Sequence, residues 1–448
     1  MTAVLHRDLN QPPRMAVRGR GSYLFDTEDN AFLDGSGGAA VSCLGHGHPR
    51  IADAIRRQLQ RLEFAHSSFF TNEPVEQLAA RLISSAPPGF GPGRVAVVGS
   101  GSEAIETAIK LARQHCVEKG EPRRTRFIAR RMSYHGNTLG ALAMGGHVER
   151  KSLYEPMLRE ATLVSPCYAY RFKEDSESLE QYGQRLVAEL SAEIERLGPD
   201  TVVAFVAEPI VGATLGSVPP VQGYLSGVRK VCDRYGVLLI ADEVMCGMGR
   251  CGAMFASSQE DCVPDIIAIA KGLGAGYQPI GAVLVREALL EPIVAGTGEL
   301  AHGHTYMAHA IACAAALAVL ETIEADDLLA AVRHHGTGLE MRLRDRFENH
   351  PNIGDIRGRG LLWSLELVRD RKTKAPFAAE LRLAQKIKRQ ALAIGLLCYP
   401  SSGTANGRDG AHILLAPPYT VSSGELDELV DKLGRAVEAA LSDAQATK

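Results

Sequence analysis

The sequence predicts an α/β protein built on a parallel sheet, and three stretches carry that prediction. Residues 202–209 (V-V-A-F-V-A-E-P) and 237–244 (V-L-L-I-A-D-E-V) are short, β-branched apolar runs, as expected of strands buried on both faces. Each delivers a carboxylate where the strand stops, and residues 266–274 (I-I-A-I-A-K-G-L-G) end a third apolar run in a lysine. In an open α/β sheet, ligands bind in the crevice beyond the carboxyl ends of the strands. Glu208, Asp242 and Lys271 are therefore expected together at one sheet edge, and a lysine held among carboxylates there points to Schiff-base chemistry.

Composition narrows the setting. At 448 residues the chain accommodates two or three domains of roughly 150 residues each. A hydrophobic share of 46%, a charged share of 23% and a net charge of -3 describe an ordinary globular protein, with nothing to favour nucleic acid or an anionic membrane as partner. No apolar run reaches the ~18 residues of a membrane helix, and the N-terminus M-T-A-V-L-H-R-D-L-N lacks the core of a signal peptide, so a cytoplasmic protein is expected. The nine cysteines are scattered and form no C-x-x-C pair, which reads as reduced thiols without a disulfide framework or a metal site.

Along the chain, residues 15–33 read as a small strand meander turning at 27–30, and residues 34–49 as a glycine-dense loop. Helical spacing follows at 51–62 and 74–84. A strand at 94–99 then runs into S-G-S-E-A-I-E-T-A-I-K-L-A-R (100–113), a strand, small-residue turn and helix start. The free N–H groups and dipole of such a start favour an anion. The strand at 126–130 leads into M-S-Y-H-G-N-T-L-G (132–140), where Tyr134 and His135 are placed to cover a planar ligand. Residues 151–177 show little regular pattern, and P-C-Y-A-Y-R (166–171) resembles a loop with exposed aromatics. Helices are expected at 179–197 and 224–235, a strand at 281–285 and an apolar helix at 310–325. The strand–helix alternation then stops. A charged helix from 328, strands within 356–367, a helix at 377–393, strands near 396–399 and 412–415 and a last helix from about 422 suggest a second, smaller α+β domain that packs with the N-terminal meander.

In chain order the candidate groups are Ser100, Gly101 and Ser102, Tyr134 and His135, Glu208, Asp242, Lys271 and Thr305. Together they match what a pyridoxal phosphate site requires. The phosphate needs a helix N-terminus with small residues, the ring an aromatic above it, the ring nitrogen a carboxylate and the aldehyde a lysine. The motifs S-G-S-E-A, Y-H-G, A-E-P, A-D-E-V, A-K-G-L-G and H-G-H-T-Y, in this order and at these separations, resemble the class III (omega) aminotransferases, pyridoxal phosphate enzymes of fold type I. The resemblance runs from F-L-D-G-S-G-G at Phe32 to A-P-P at Ala416.

What the resemblance implies is specific. The fold would be a large domain (61–325) with a mostly parallel seven-stranded sheet between helices, plus a small domain made by segments 1–60 and 326–448. Lys271 looks like the lysine that forms the internal aldimine and moves the proton, and Asp242 like the carboxylate that keeps the pyridine nitrogen protonated. Val244, on the same strand face as Asp242 if the strand persists, would support the ring opposite Tyr134. Gly101 and Ser102 would hold the phosphate, Glu208 would lie near the cofactor hydroxyl, and His135 belongs to the same motif as Tyr134. Thr305 resembles a threonine that reaches a phosphate across a dimer interface, which implies a homodimer or larger homo-oligomer. In one departure, the usual T-[FY]-x-G-H-P reads Thr305-Tyr306-Met307-Ala308-His309-Ala310 here, with alanine for both glycine and proline.

The implied reaction is a ping-pong transfer of an amino group from an omega-amino acid or amine to a keto acid such as pyruvate or 2-oxoglutarate. A mobile arginine would let one site accept substrates with and without a carboxylate, and Arg408, in the loop S-S-G-T-A-N-G-R-D-G, sits about where many omega-aminotransferases place it. Tyr23, Cys43, Phe69, Phe70, Tyr168 and Ala213 are candidates for the pocket lining. A decarboxylase, racemase or aminomutase using the same cofactor is the rival within the fold. A nucleotide-binding protein is the rival outside it, although no G-K-[ST] or G-x-G-x-x-G accompanies the turn after Val98.

Overall fold

The computed structural model describes residues 2–445. Near the N-terminus, β1 (Ala16–Arg20), β2 (Tyr23–Asp26) and β3 (Ala31–Asp34) form an antiparallel meander. The middle of the chain supplies β4 (Gly93–Val98), β5 (Arg126–Arg130), β6 (Thr162–Val164), β7 (Val202–Ala207), β8 (Leu238–Asp242), β9 (Ile266–Ile269) and β10 (Gly281–Arg286). These make a seven-stranded sheet in the order β4-β10-β9-β8-β7-β5-β6. Neighbours from β9 to β6 pair in parallel; β10 alone runs against its two neighbours.

Helices close both faces. All six residues of β7 are buried, which is why its sequence shows no polar alternation. Successive side chains still divide between the faces, as the pleat requires. On β9 and β10, Ala268, Val283 and Val285 pack with helix Gly101–Glu118, while Ile267, Ile269 and Leu284 pack with helices Glu73–Ser84 and Ala310–Ala325. On the other half of the sheet, Phe205 and Leu239 meet helices Leu179–Leu197 and Tyr224–Tyr235.

The C-terminal part adds β11 (Ile353–Arg359), β12 (Leu362–Asp370), β13 (Ala375–Pro376), β14 (Leu396–Leu397), β15 (Tyr399–Ser402) and β16 (Ala411–Leu415). Strand β14 pairs in parallel with β3, which ties the N-terminal meander to this region. The other strands form a separate antiparallel sheet, β11-β12-β16-β15 with β13 beside β12. Helices Leu328–Phe347 and Leu383–Ala393 share a core with both sheets.

Three expectations need correction. Residues 151–177 contain the edge strand β6, whose three residues are too few to show a period. The helix expected from 377 begins at Leu383, because Arg382 takes a positive φ of 48° and separates it from a short turn at Ala379–Leu381. Tyr168 does not stand in an exposed loop. It is 1% exposed, packs with Met132, Val211 and Leu215, and has the Arg357 guanidinium carbon 4.8 Å from its ring centroid.

Arg357 belongs to an ionic lock between the two parts of the molecule. Glu366 of β12, fully buried, takes Arg171 Nε on one oxygen at 2.5 Å and Arg357 Nη1 on the other at 2.7 Å. Removing one member of such a cluster strands buried charge. Glu366→Ala is expected to lower stability by about 3–5 kcal/mol, read as a fall in melting temperature, whereas an exposed pair such as Arg344–Glu340 contributes at most about 1 kcal/mol.

Candidate active site

Strands β4, β5, β7, β8 and β9 run the same way, so their carboxyl ends meet at one sheet edge. The residues that follow them line one cavity of about 290 Å³: Ser100, Gly101 and Ser102 after β4, Tyr134 and His135 after β5, Glu208 after β7, Asp242 on β8 and Lys271 after β9. The antiparallel β10 starts at the same edge, which brings Gln278 and Pro279 to the cavity as well.

Helix Gly101–Glu118 opens at the cavity. Ser100 Oγ caps it by accepting the Glu103 N–H at 3.2 Å, and Ser102 Oγ accepts the Asn137 N–H at 3.0 Å. The N–H groups of Gly101 and Ser102 lie in the first turn, where a helix has no internal acceptor to offer, and point such a site toward an anion. Position 101 has no room for a side chain, since a Cβ there would lie 2.8 Å from Val244 Cγ1. Val244 reaches the cavity by a different route from the one expected. Strand β8 ends at Asp242, and the chain turns so that the Val244 N–H donates to Asp242 Oδ1 at 3.0 Å.

The polar groups beneath are buried and mutually braced. His135 Nδ1 lies 2.8 Å from Asp242 Oδ2, with both side chains almost wholly buried. Glu208 accepts the Gly212 N–H at 2.8 Å and the Tyr134 N–H at 3.2 Å. Burial, reinforced by the nearby Asp242 charge, pushes the Glu208 carboxyl above its ordinary range, against the pull of His135. Burial also brings the Lys271 amine down to about 8, although Asp242 and Glu208 favour its charged form. Lys271 forms no ion pair among the described residues, and its backbone holds a left-handed turn with φ 45°. The arrangement therefore offers an anion seat, a carboxylate for a protonated ring nitrogen and an amine able to attack a carbonyl near neutral pH.

Most of the remaining candidates lie apart from this cavity. Thr305 is exposed and lines a neighbouring hollow of about 460 Å³ that shares Gly99, Gln278 and Pro279 with the first. Ala308, where the family usually has glycine, keeps a left-handed φ of 58°, and its carbonyl accepts from Asn72 Nδ2 at 2.9 Å, so the turn survives the substitution. Phe69 and Phe70 stand on the surface. Tyr23 donates its hydroxyl to Glu428 at 2.7 Å, and Tyr168 is walled off as described above. Cys43 is buried with its thiol 3.5 Å from the Gly272 carbonyl, and Ala213 lines the cavity. Arg408 is 69% exposed, pairs with Glu380 at 2.7 Å and does not line the cavity. Sequence reasoning passed over Arg150, whose guanidinium carbon stands 4.6 Å from the Tyr134 ring centroid. Its only signal was a basic residue a short distance after Y-H-G.

Comparison with known proteins places this geometry. The family model "Aminotransferase class-III" matches residues 4–437. An uncharacterized aminotransferase of Schizosaccharomyces pombe is 44% identical over 429 residues, 96% of this chain and 93% of that one. Among solved structures, an (S)-enantioselective omega-transaminase from Thermomicrobium roseum superposes with a TM-score of 0.89 at 36% identity, covering 97% of this chain and 93% of the other. The omega transaminase of Pseudomonas jessenii, solved in complex with PMP, gives a TM-score of 0.90 at 33% identity, covering 97% and 94%. The chain is an enzyme with the fold type I architecture and belongs to the class III aminotransferases.

Proposed function

We propose that this aminotransferase uses pyridoxal 5'-phosphate to move an amino group from an omega-amino acid or amine to a keto acid such as pyruvate or 2-oxoglutarate, in two half-reactions at one site. The observation that carries the reading is the single cavity in which a helix start, Tyr134, Asp242 and Lys271 all open. The residues fit the cofactor: the seat at Gly101 is too tight for any Cβ, and Asp242 keeps a face toward the cavity while His135 and the Val244 N–H occupy its oxygens. Bound there, pyridoxal phosphate supplies an aldehyde that takes up an amino group and a ring that withdraws electrons.

Each residue then has a defined task. Gly101 and Ser102 would hold the phosphate, Ser100 fixes the helix start, and Tyr134 and Val244 would cover the ring. Asp242, braced by His135, holds a proton on the ring nitrogen. Glu208 would meet the cofactor's ring hydroxyl. The Lys271 amine anchors the cofactor and carries the proton during transfer. Thr305, exposed beside the cavity, reaches a phosphate across the interface of a homodimer. We retain, as part of this reading, the division of the chain at residues 60 and 325 and a cytoplasmic setting.

Two outcomes test the proposal. Incubation with 4-aminobutanoate and pyruvate, or with related omega-amino donors and 2-oxoglutarate, should give one aminated product per keto acid consumed, without carbon dioxide release. Asp242→Asn should slow that transfer by about a hundredfold or more. The second outcome follows from the depressed Lys271 pKa. Only the neutral amine attacks an aldehyde, so capture of pyridoxal phosphate by the apoprotein, followed by absorbance, should rise about tenfold per pH unit up to about 8 and level off above it. An ordinary lysine would keep rising toward pH ~10.4.

A further inference from the structure

The cavity has a charged mouth. A second hollow of about 320 Å³ shares Ala213 with it and is lined by Arg7, His147, Glu149, Arg150, Lys388 and Tyr399, together with small and polar neighbours. Three permanent cations thus face one carboxylate. His147 adds no charge at neutral pH, because burial and the neighbouring Arg150 hold its imidazole down at about 4.

Arg150 is the cation placed for work. It stands at the end of the short helix Val148–Lys151, with its guanidinium carbon 4.6 Å from the Tyr134 ring centroid. Among the described residues it forms no ion pair, while most arginines of this chain near a carboxylate do, Arg408 with Glu380 included. A guanidinium held against an aromatic face keeps its N–H edge free, and that edge matches the two oxygens of a carboxylate. Its charge also reaches the reacting groups, since Arg150 is among the charges that disfavour protonation of Lys271.

Resting on the aminotransferase reading above, we propose that Arg150 binds the carboxylate of amino-acid and keto-acid substrates at the Tyr134 side of the cavity, with Arg7 and Lys388 drawing anions to the mouth. The enzyme then prefers donors that carry a carboxylate to simple alkylamines. Arg408 lies on the surface, paired with Glu380.

The test uses holoenzyme of the wild type and of Arg150→Leu, Arg150→Lys and Arg408→Leu. Glutarate, which has carboxylates but neither amine nor carbonyl, is titrated by calorimetry. Separately, the loss of cofactor absorbance is followed with 4-aminobutanoate and with butylamine. Arg150→Leu should weaken glutarate by about tenfold or more, as expected for a lost charge-assisted contact, and Arg150→Lys should recover part of that loss. The rate with 4-aminobutanoate should fall at least about tenfold further than the rate with butylamine. Equal glutarate binding by wild type and Arg150→Leu, or a loss confined to Arg408→Leu, overturns the proposal. Glutarate binding needs no turnover, so it decides the role of Arg150 even if no amine changes the cofactor absorbance, a result that would count against the aminotransferase reading alone.

Discussion

The direction of five strands is the constraint on which the rest of this molecule depends. Because β4, β5, β7, β8 and β9 all point one way, every connection that leaves them does so at the same edge. Their apolar side chains are committed to packing on two helical layers, and the one strand residue that lines the cavity, Asp242, is the last of β8. Polar groups collect at the ends, where the backbone turns away. The reversed β10 completes the edge by starting there, and its first glycine packs against the Ser100 carbonyl, where a Cβ would come within 2.4 Å.

Gathering acids and a lysine in one buried place sets their protonation against ordinary values. Glu208 is driven toward its neutral form and Lys271 toward its free amine, both through loss of water. Asp242 is braced by an imidazole and a backbone N–H, which satisfy both oxygens of a buried carboxyl group. The lysine is left without an ion pair among the described residues, and its amine is the group the site leaves uncommitted. Beyond it, Arg150 adds a cation that both lowers the tendency of Lys271 to hold a proton and faces the entrance. Under the proposed function, one charge pattern thus serves reactivity inside the cavity and selection at its mouth.

Much of this was legible because strand ends are local signals. An apolar run that stops at an acid or a lysine announces both the strand and the edge, and β7, β8 and β9 formed where the runs of 202–209, 237–244 and 266–274 placed them. What escaped had no local signal. Strand β6 has three residues, and its pairing with β5 is fixed by the sheet already present. The burial of Tyr168 depends on Arg357, distant in the chain and locked by Glu366. Val244 seemed to need a continuing strand, whereas a turn held by the Asp242 side chain delivers it. Arg150 looks like any surface base until the fold sets it over Tyr134.

The central claim is that the Lys271 amine is the group that carries the cofactor at this edge. Borohydride reduction of the protein loaded with pyridoxal phosphate, followed by proteolysis and mass spectrometry of the labelled peptide, tests it directly. The account predicts one label, on Lys271. A label on another lysine, such as Lys110 or Lys151, or a protein that stays colourless and unlabelled with cofactor in excess, would contradict it.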